Sequence, residues 1–147
     1  MPSHFYTTDP QQDVFLDEGL IFEGVACYVF PVEILRDLQS RVPFFRWKHP
    51  TGDNFYTLDL AGELAPQSGY IHKGPACYVY ANQLPNSVEL YRWVHPQRGD
   101  HFYALAAEPE LIAERYIEEG VACYVFADQQ PRTVPFYRWY DPHVIIQ

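Results

Sequence analysis

The sequence lacks long apolar runs, basic clusters and a recognisable leader, and each absence argues against a class of function. No stretch of the chain approaches the roughly 20 apolar residues of a membrane-spanning helix. The formal charge is −9, and so acidic a chain with no basic cluster would repel a nucleic-acid backbone. The beginning, MPSHFYTTDP, has neither the basic region nor the apolar stretch of a secretory signal. We therefore expect no nucleic-acid partner, no membrane insertion, and a protein that is cytoplasmic or secreted without a signal peptide.

Catalytic motifs are also missing from the sequence. None of the four serines lies in a Gly-x-Ser-x-Gly elbow, and there is no phosphate loop, HExxH or CxxC. The three cysteines, Cys27, Cys77 and Cys123, cannot all pair within one chain, which argues against a disulfide scaffold. Each alternates with tyrosine in a strand-like ACYV segment, where cysteine acts as a small core residue. The sequence predicts a protein that is not an enzyme and needs no cofactor.

One set of equivalent positions could in principle hold a metal ion. These positions are His49, His95 and Asp141, and two histidines with a carboxylate can bind a transition metal. They would meet only if all three faced a common axis, which their spacing does not show. We predict no metal site.

What the sequence does contain is a threefold internal repeat. ACYV recurs at Ala26, Ala76 and Ala122, each time two residues after a glycine. The dipeptide RW occurs three times, the aromatic pair FY recurs at the equivalent positions Phe5, Phe55 and Phe102, and each unit has one cysteine. The chain is therefore predicted to be a single domain, 1–147, of three repeats at approximately 4–53, 54–100 and 101–147.

Each repeat predicts the same elements. HFYT and GVACYVF read as strands, and VPFFRWKH reads as a second long strand that returns through a Gly-Asp turn into the next HFYT as a hairpin. Helices are predicted at 10–19 and 109–116, where proline follows an acidic residue. The second repeat, with LAGELAPQSG, predicts only a turn or two.

The last RW strand is not followed by an HFYT segment, and one HFYT segment stands alone near the beginning of the chain. Residues 136–142 must then pair with residues 4–7, which would close the repeats into a ring and remove exposed sheet edges. The predicted fold class is mainly β with short helices: a closed pseudo-three-fold ring that is β-trefoil-like or a small barrel or prism.

The repeated signature resembles that of an uncharacterised family of three-unit modules. The signature is Tyr-Arg-x-x-x-Pro-x-x-Gly-Asp-His-Phe-Tyr, here Tyr91–Tyr103, followed by Glu119-Gly120 and Tyr124-Val125. Modules of this family are often attached to secreted hydrolases, so the resemblance implies an accessory binding module and no catalytic residues. In overall plan the chain is also similar to the three-fold lectins of mushrooms. It departs from the signature at Asn54 and Lys73, which stand where other repeats have histidine and glutamate.

Three candidate ligand sites follow from the repeat, each around a Gly-Asp hairpin. Tryptophan and tyrosine rings can stack on sugar rings, and arginine, aspartate and histidine or asparagine can bond sugar hydroxyls. The alternatives remain open: the tryptophans can be core, the arginines can form structural ion pairs with Asp53, Asp100 or a glutamate, and the aspartates can be exposed turn residues. The first site contains His4, Tyr6, Arg138 and Trp139, the second Arg46, Trp47, Asp53, Asn54 and Tyr56, and the third Arg92, Trp93, Asp100, His101 and Tyr103.

The pattern predicts a non-catalytic, multivalent, lectin-like protein that binds glycans or glycoconjugates at up to three equivalent sites, because linked weak sites give strong avidity. We expect a monomer or small homo-oligomer. The alternative is a protein-interaction or inhibitor module that acts through the variable loops at 31–41, 81–87 and 127–133.

Overall fold

The fold is built almost entirely from antiparallel strands, as the sequence predicts. A computed structural model describes residues 2–10, 19–32 and 40–142. No helix among them is long and apolar enough to cross a membrane. The elements are β1 (Ser3–Thr7), β2 (Ile21–Val29), β3 (Arg41–Lys48), β4 (Asn54–Thr57), a 3-10 turn (Pro66–Ser68), β5 (Ile71–Tyr80), β6 (Val88–Val94), β7 (His101–Ala104), α1 (Pro109–Ala113), β8 (Ile117–Val125) and β9 (Val134–Asp141).

The strands form two sheets made of three similar groups. One sheet has the order β1-β9-β2, and the other has the order β4-β3-β5-β8-β6-β7. The larger sheet consists of two three-stranded groups that meet at a single residue pair, Tyr80 with Tyr124. Isolated bridges join Tyr28 to Phe126 and Phe30 to Tyr78. In the part of the chain that the structure describes, the strands do not close into a barrel, and the trefoil or three-fold ring is not confirmed by this strand order.

The hairpins predicted from the RW and HFYT segments are present. Arg46 pairs with Tyr56 across β3 and β4, and the same register recurs between β6 and β7. The pairing of the two terminal strands is also present, with Tyr6 opposite Arg138 across β1 and β9. Each Gly-Asp turn is closed by a backbone hydrogen bond, from His49 to the Asp53 carbonyl in the first hairpin.

The ACYV strands begin earlier than the predicted GVACYVF segment, because the three residues before each glycine also lie inside the strand. Gly24, Gly74 and Gly120 have φ angles of 98°, 88° and 99°, and the pairing register shifts near each of them. These shifts are β-bulges, and glycine fits them because a residue with a Cβ is strained at such angles.

The helical segments are short. The predicted helix at 109–116 is confirmed only as Pro109–Ala113, and it ends before Arg115, whose φ is 59°. The second repeat has the 3-10 turn in the same place, in line with the prediction of a turn or two. Most of the predicted helix at 10–19, and residues 33–39 of the first variable loop, lie outside the described residues.

The main core lies where the inner faces of the three groups meet. The three cysteines are buried there, so their predicted placement as core residues is confirmed. Burial raises the pKa of each thiol well above its usual value. The other buried residues of this cluster are Tyr6, Val29, Phe44, Tyr56, Val79, Leu90, Tyr103, Val125 and Phe136.

Three buried tyrosines link the groups through a closed set of hydrogen bonds, which we call the tyrosine triad. The Tyr6 N–H donates to the Tyr56 hydroxyl at 2.8 Å, and that hydroxyl donates to the Tyr6 carbonyl at 2.9 Å. Tyr56 is bonded in the same way to the Tyr103 hydroxyl, and Tyr103 to the Tyr6 hydroxyl. The rings contact edge to face at 5.3 to 5.6 Å between centroids. The triad therefore connects β1, β4 and β7, one strand from each group.

Candidate functional site

The arginine of the RW dipeptide is the centre of a polar cluster that is clearest at Arg92. The Arg92 Nε donates to Glu119 at 2.9 Å, and its two terminal nitrogens bond both oxygens of Glu63 at 3.0 and 3.1 Å. The guanidinium lies over the Phe55 ring, 4.7 Å from its centroid. The hydrogen bonds from Arg92 hold the pKa of Glu63 below its usual value, against the opposing effect of burial. Arg92, Glu119, Glu63 and Phe55, with His101, form what we call the Arg92 cluster.

His101 in this cluster is positioned by an aspartate from another repeat. Its backbone N–H donates to Asp53 at 3.0 Å, and its ring Nδ1 lies 2.7 Å from the second oxygen of the same carboxylate. Tyr70 also donates to Asp53, at 2.5 Å. Asp53 is buried, at 5% exposed, so the expectation of an exposed turn aspartate is wrong. The three hydrogen bonds compensate for the burial of this carboxylate.

The Arg92 cluster opens into a surface pocket of about 290 Å³. Its wall combines carboxylates, a guanidinium and an imidazole with aromatic and aliphatic surface. The lining residues are Phe55, Glu63, Leu64, Ala65, Ser68, Tyr70, Arg92, His101 and Glu119.

The same arrangement recurs around Arg138. Its Nε donates to Glu23 at 3.0 Å, and its terminal nitrogens bond both oxygens of Glu108 at 3.1 and 2.9 Å. The guanidinium lies 4.3 Å from the centroid of the Phe102 ring. These residues, together with His4 and Glu110, form the Arg138 cluster.

His4 is the fully buried histidine of the Arg138 cluster. Its backbone N–H and its Nδ1 bond the two oxygens of Asp100, at 2.9 and 2.7 Å. Its Nε2 lies 3.2 Å from Glu23 and 3.4 Å from Glu110, without hydrogen-bond geometry to either. Burial alone would lower the pKa of His4, but the carboxylates of Asp100, Glu110 and Glu23 outweigh it and raise the pKa to about 10.

The third cluster, around Arg46, has different chemistry. Arg46 lies over the Phe5 ring, 4.6 Å from its centroid, and its Nε donates to the Asn54 side-chain oxygen at 3.0 Å. Asn54 stands where the other clusters have histidine, and Lys73 stands where they have Glu23 or Glu119. The Arg46 cluster consists of Arg46, Phe5, Asn54 and Lys73. It borders a pocket of about 190 Å³ that Lys73 also lines. This cluster is therefore cationic, whereas the other two are rich in carboxylates.

One family model matches the chain, in two overlapping segments, residues 1–113 and 63–145. The family is described as Domain of unknown function (DUF5648). The chain belongs to this family. A model that matches the chain twice, with an offset, is what an internal repeat produces. Comparisons with curated proteins and with solved structures gave no match.

In this DUF5648 protein the arginine and the histidine or asparagine of each predicted site do lie in one cluster. The pairs are Arg138 with His4, Arg46 with Asn54, and Arg92 with His101. The aspartates lie elsewhere than predicted: Asp53 bonds His101 in the Arg92 cluster, and Asp100 bonds His4 in the Arg138 cluster. Asp100 is 1% exposed, so it too is not an exposed turn residue.

The predicted aromatic site residues lie mostly in the interior. Tyr6, Tyr56 and Tyr103 form the buried tyrosine triad and are at most 1% exposed. Trp47 is buried against Phe55 and Ala65. Trp93 is half-buried and packs against the buried cluster that contains Phe102. Trp139 is buried and contacts Phe22, which is half exposed. For the tryptophans, this is the core role that was given above as the alternative to ligand binding.

Two kinds of residue in the clusters were not predicted from the sequence. One is the phenylalanine of the HFY segment, whose ring supports an arginine of another group of strands: Phe5, Phe55 and Phe102. The other is the glutamate whose two carboxylate oxygens both accept hydrogen bonds from the arginine, Glu63 or Glu108. The repeated phenylalanine was a visible signal. The glutamates were not, because they lie at different distances from the HFY segment in the two repeats.

The two histidines considered above as metal ligands form hydrogen bonds within the turns that follow them. His49 Nδ1 accepts from the Thr51 N–H at 3.1 Å, and His95 Nδ1 accepts from the Gln97 and Arg98 N–H groups at 3.2 and 3.1 Å. Each ring therefore stabilises the turn that it begins.

Proposed function

We propose that this protein is a non-catalytic, lectin-like carbohydrate-binding protein with up to three binding positions, one at each arginine cluster. The observation that carries the proposal is the pocket of the Arg92 cluster, whose central residues have counterparts in the other two clusters. Repetition of a polar site favours binding of a repetitive surface, because several weak contacts made together give high avidity.

The chemistry of the pocket suits a neutral or amino sugar. A sugar presents hydroxyl groups that both donate and accept, and the pocket offers carboxylates as acceptors and the Arg92 guanidinium as a planar donor. Phe55, Leu64 and Tyr70 supply apolar surface for the C–H face of a sugar ring. At about 290 Å³ the pocket lies near the lower limit of small-molecule sites, which fits one or two sugar rings.

The proposal includes a pseudo-three-fold arrangement of the repeats. The tyrosine triad supports it, because three equivalent residues make the same pair of hydrogen bonds to one another in a closed cycle. The pairing of β1 with β9 supports it as well, since β1 gives the last RW strand the HFY partner that the other two RW strands find directly after them in the sequence. Three clusters around such a centre would face outward in different directions.

The alternative is a protein-interaction or inhibitor module that acts through the variable loops. A pocket of about 300 Å³ beside two of these loops favours it, lined by Ser40, Arg41, Val42, Ala81, Asn82 and Leu84. Against it, the exposed large apolar side chains of the described residues lie outside these loops, for instance at Ile21, Ile71 and Ile117 on the ACYV strands. We therefore favour the glycan.

A glycan array is the first test, followed by calorimetry with a sugar that the protein binds on the array. Ser68→Trp should fill the pocket of the Arg92 cluster and lower the number of sugars bound per chain by one, while the exposed position of Ser68 leaves the fold intact. Ser68→Ala, which keeps the pocket open, should bind like the unmodified chain. A blank array with folded protein would refute the proposal, and unchanged binding by Ser68→Trp would move the site away from this pocket.

A further inference from the structure

We propose that the Arg138 cluster binds one divalent transition-metal ion of the zinc type, through His4 Nε2 and one oxygen each of Glu23 and Glu110. This inference does not rest on the proposed sugar binding. The three ligand atoms come from β1, β2 and α1, which the fold brings together although they lie far apart in the sequence.

The first argument is the state of His4. The residue is 0% exposed, and its Nε2 has no hydrogen-bond partner although it points at two carboxylates. Its other nitrogen is fixed by Asp100, which also accepts from Tyr116 at 2.6 Å. Metal-binding histidines usually have this arrangement, in which a carboxylate on one nitrogen orients the ring and makes the other nitrogen a better ligand.

The second argument is distance. Zinc binds histidine nitrogen and carboxylate oxygen at about 2.0–2.2 Å, so two ligands of a tetrahedral ion lie roughly 3.3–3.5 Å apart. The His4 Nε2 lies 3.2 Å from Glu23 Oε1 and 3.4 Å from Glu110 Oε2. The nitrogen therefore lies at nearly the required separation from each of the two oxygens, the three atoms all lie within 4.8 Å of one another, and water would complete the coordination. A nitrogen ligand favours a transition metal over calcium or magnesium.

The third argument is charge. Glu23 and Glu110 lie beside the His4 Nε2, Asp100 bonds the other nitrogen of the ring, and Glu108 pairs with Arg138. Arg138 and Arg98 are cations that oppose these carboxylates. Arg138 holds Glu23 and Glu108 in place, and it lowers the attraction for a cation without cancelling it. Zinc binds the neutral imidazole, so a protonated His4 ring would release its Nε2 proton to solvent when the ion binds.

The Arg92 cluster provides a comparison inside the same chain. Tyr70 N–H bonds the Ala65 carbonyl as Tyr116 N–H bonds that of Leu111, so Leu64 corresponds to Glu110. The Arg92 cluster thus has a histidine and a glutamate, His101 and Glu119, 3.7 Å apart, but leucine at the third position. We expect zinc to bind at one cluster only.

The test is calorimetric titration of the full chain with zinc chloride, together with the melting temperature with and without zinc. We expect one ion per chain and a rise in melting temperature, because the ion binds the folded state. Glu110→Leu gives the Arg138 cluster the leucine that the Arg92 cluster has at this position, and it should weaken zinc binding by more than about tenfold. Glu110 is 40% exposed, so this variant should fold. Glu114→Leu, which changes an exposed glutamate just beyond the same helix, is the matched control and should bind zinc like the unmodified chain.

Two results would overturn the inference. If zinc produces neither heat nor a shift in melting temperature, His4 serves only as a protonated partner of the carboxylates. If zinc binds equally well to Glu110→Leu, the ion binds elsewhere. Either result leaves the glycan array unaffected, so this inference and the proposed function can fail separately.

Discussion

Asp100 accepts three hydrogen bonds although it follows a glycine in a surface turn. Its partners are the His4 backbone, the His4 ring and the Tyr116 hydroxyl, and both Asp100 and His4 are almost completely buried. A buried carboxylate of this kind is held in place by its donors, and the donors in turn depend on it. Asp53 has the corresponding role for His101 and Tyr70. Each of these two turns therefore connects one repeat to others through buried hydrogen bonds.

We expect Asp100→Ala to lower the free energy of unfolding by about 3 kcal/mol or more, because removal of one partner leaves a buried histidine uncompensated. Urea unfolding followed by circular dichroism measures this. Asp128→Ala, at an exposed position, should change stability by less than about 0.5 kcal/mol. A variant Asp100→Ala that is as stable as Asp128→Ala would contradict the structural role and return Asp100 to the list of candidate ligand residues.

The thiols give a second prediction at this scale. Cys27, Cys77 and Cys123 are at most 1% exposed, and burial raises the pKa of each. Since the thiolate is the reactive form, a thiol reagent should label the native protein very slowly and label it fully after denaturation. Mass spectrometry over time measures the extent of labelling. Fast labelling of a single cysteine under native conditions would show that its strand opens easily.

The sequence was sufficient for the strand pairing and the core positions, and insufficient for the side-chain partners that meet where the repeats pack together. Alternation placed the cysteines in the core, and the hairpin from RW to HFY followed from the turn residues between them. The partners of Asp53 and Asp100 lie 48 and 96 residues away, and they depend on how the repeats pack, which no local pattern reveals. The phenylalanine rings beneath the arginines were not predicted either, because each ring lies in a different group of strands from its arginine.

At the scale of elements, β1 has an importance beyond its five residues. It pairs along its whole length with β9, and it carries His4 of the Arg138 cluster and Tyr6 of the triad. Four of its residues are buried. Without β1, the strand β9 would expose an edge, and Asp100 would lose its histidine.

We expect deletion of residues 1–7 to unfold the protein, because it removes these contacts together. The measurement is the melting temperature and the near-ultraviolet circular dichroism of the shortened chain. A circular permutant that joins the two native ends and opens in the 83–87 loop keeps β1 and should fold, which separates loss of the strand from a change in the position of the ends. An unchanged melting temperature after the deletion would show that the pairing of β1 with β9 contributes little to stability.

At the scale of the whole molecule, the tyrosine triad holds the three groups of strands together. Each hydroxyl satisfies a backbone N–H and a backbone carbonyl of another repeat in the fully buried centre. A purely apolar centre would leave these backbone groups without partners, and each such group costs about 1–3 kcal/mol. The triad thus combines the packing of large rings with six hydrogen bonds.

Tyr103→Phe tests the triad with a minimal change in volume. It leaves the Tyr56 N–H and carbonyl without their partner, so we expect a loss of about 2–4 kcal/mol in the free energy of unfolding. Tyr91→Phe is the control, since Tyr91 lies nearer the surface and its hydroxyl donates to the Glu89 side chain at 3.3 Å. Equal stability of the two variants would mean that the centre of the protein tolerates unpaired backbone groups.

The triad also has a consequence for the order of events in folding. Its hydrogen bonds join residues 47, 50 and 97 positions apart, so none of them can form within a single repeat. Loop closure over such distances makes contacts late and slow compared with a hairpin turn. A single excised repeat would keep a tyrosine whose hydroxyl has lost both backbone partners. The chain should therefore refold in one concerted step, in milliseconds to seconds, and not repeat by repeat as open arrays can.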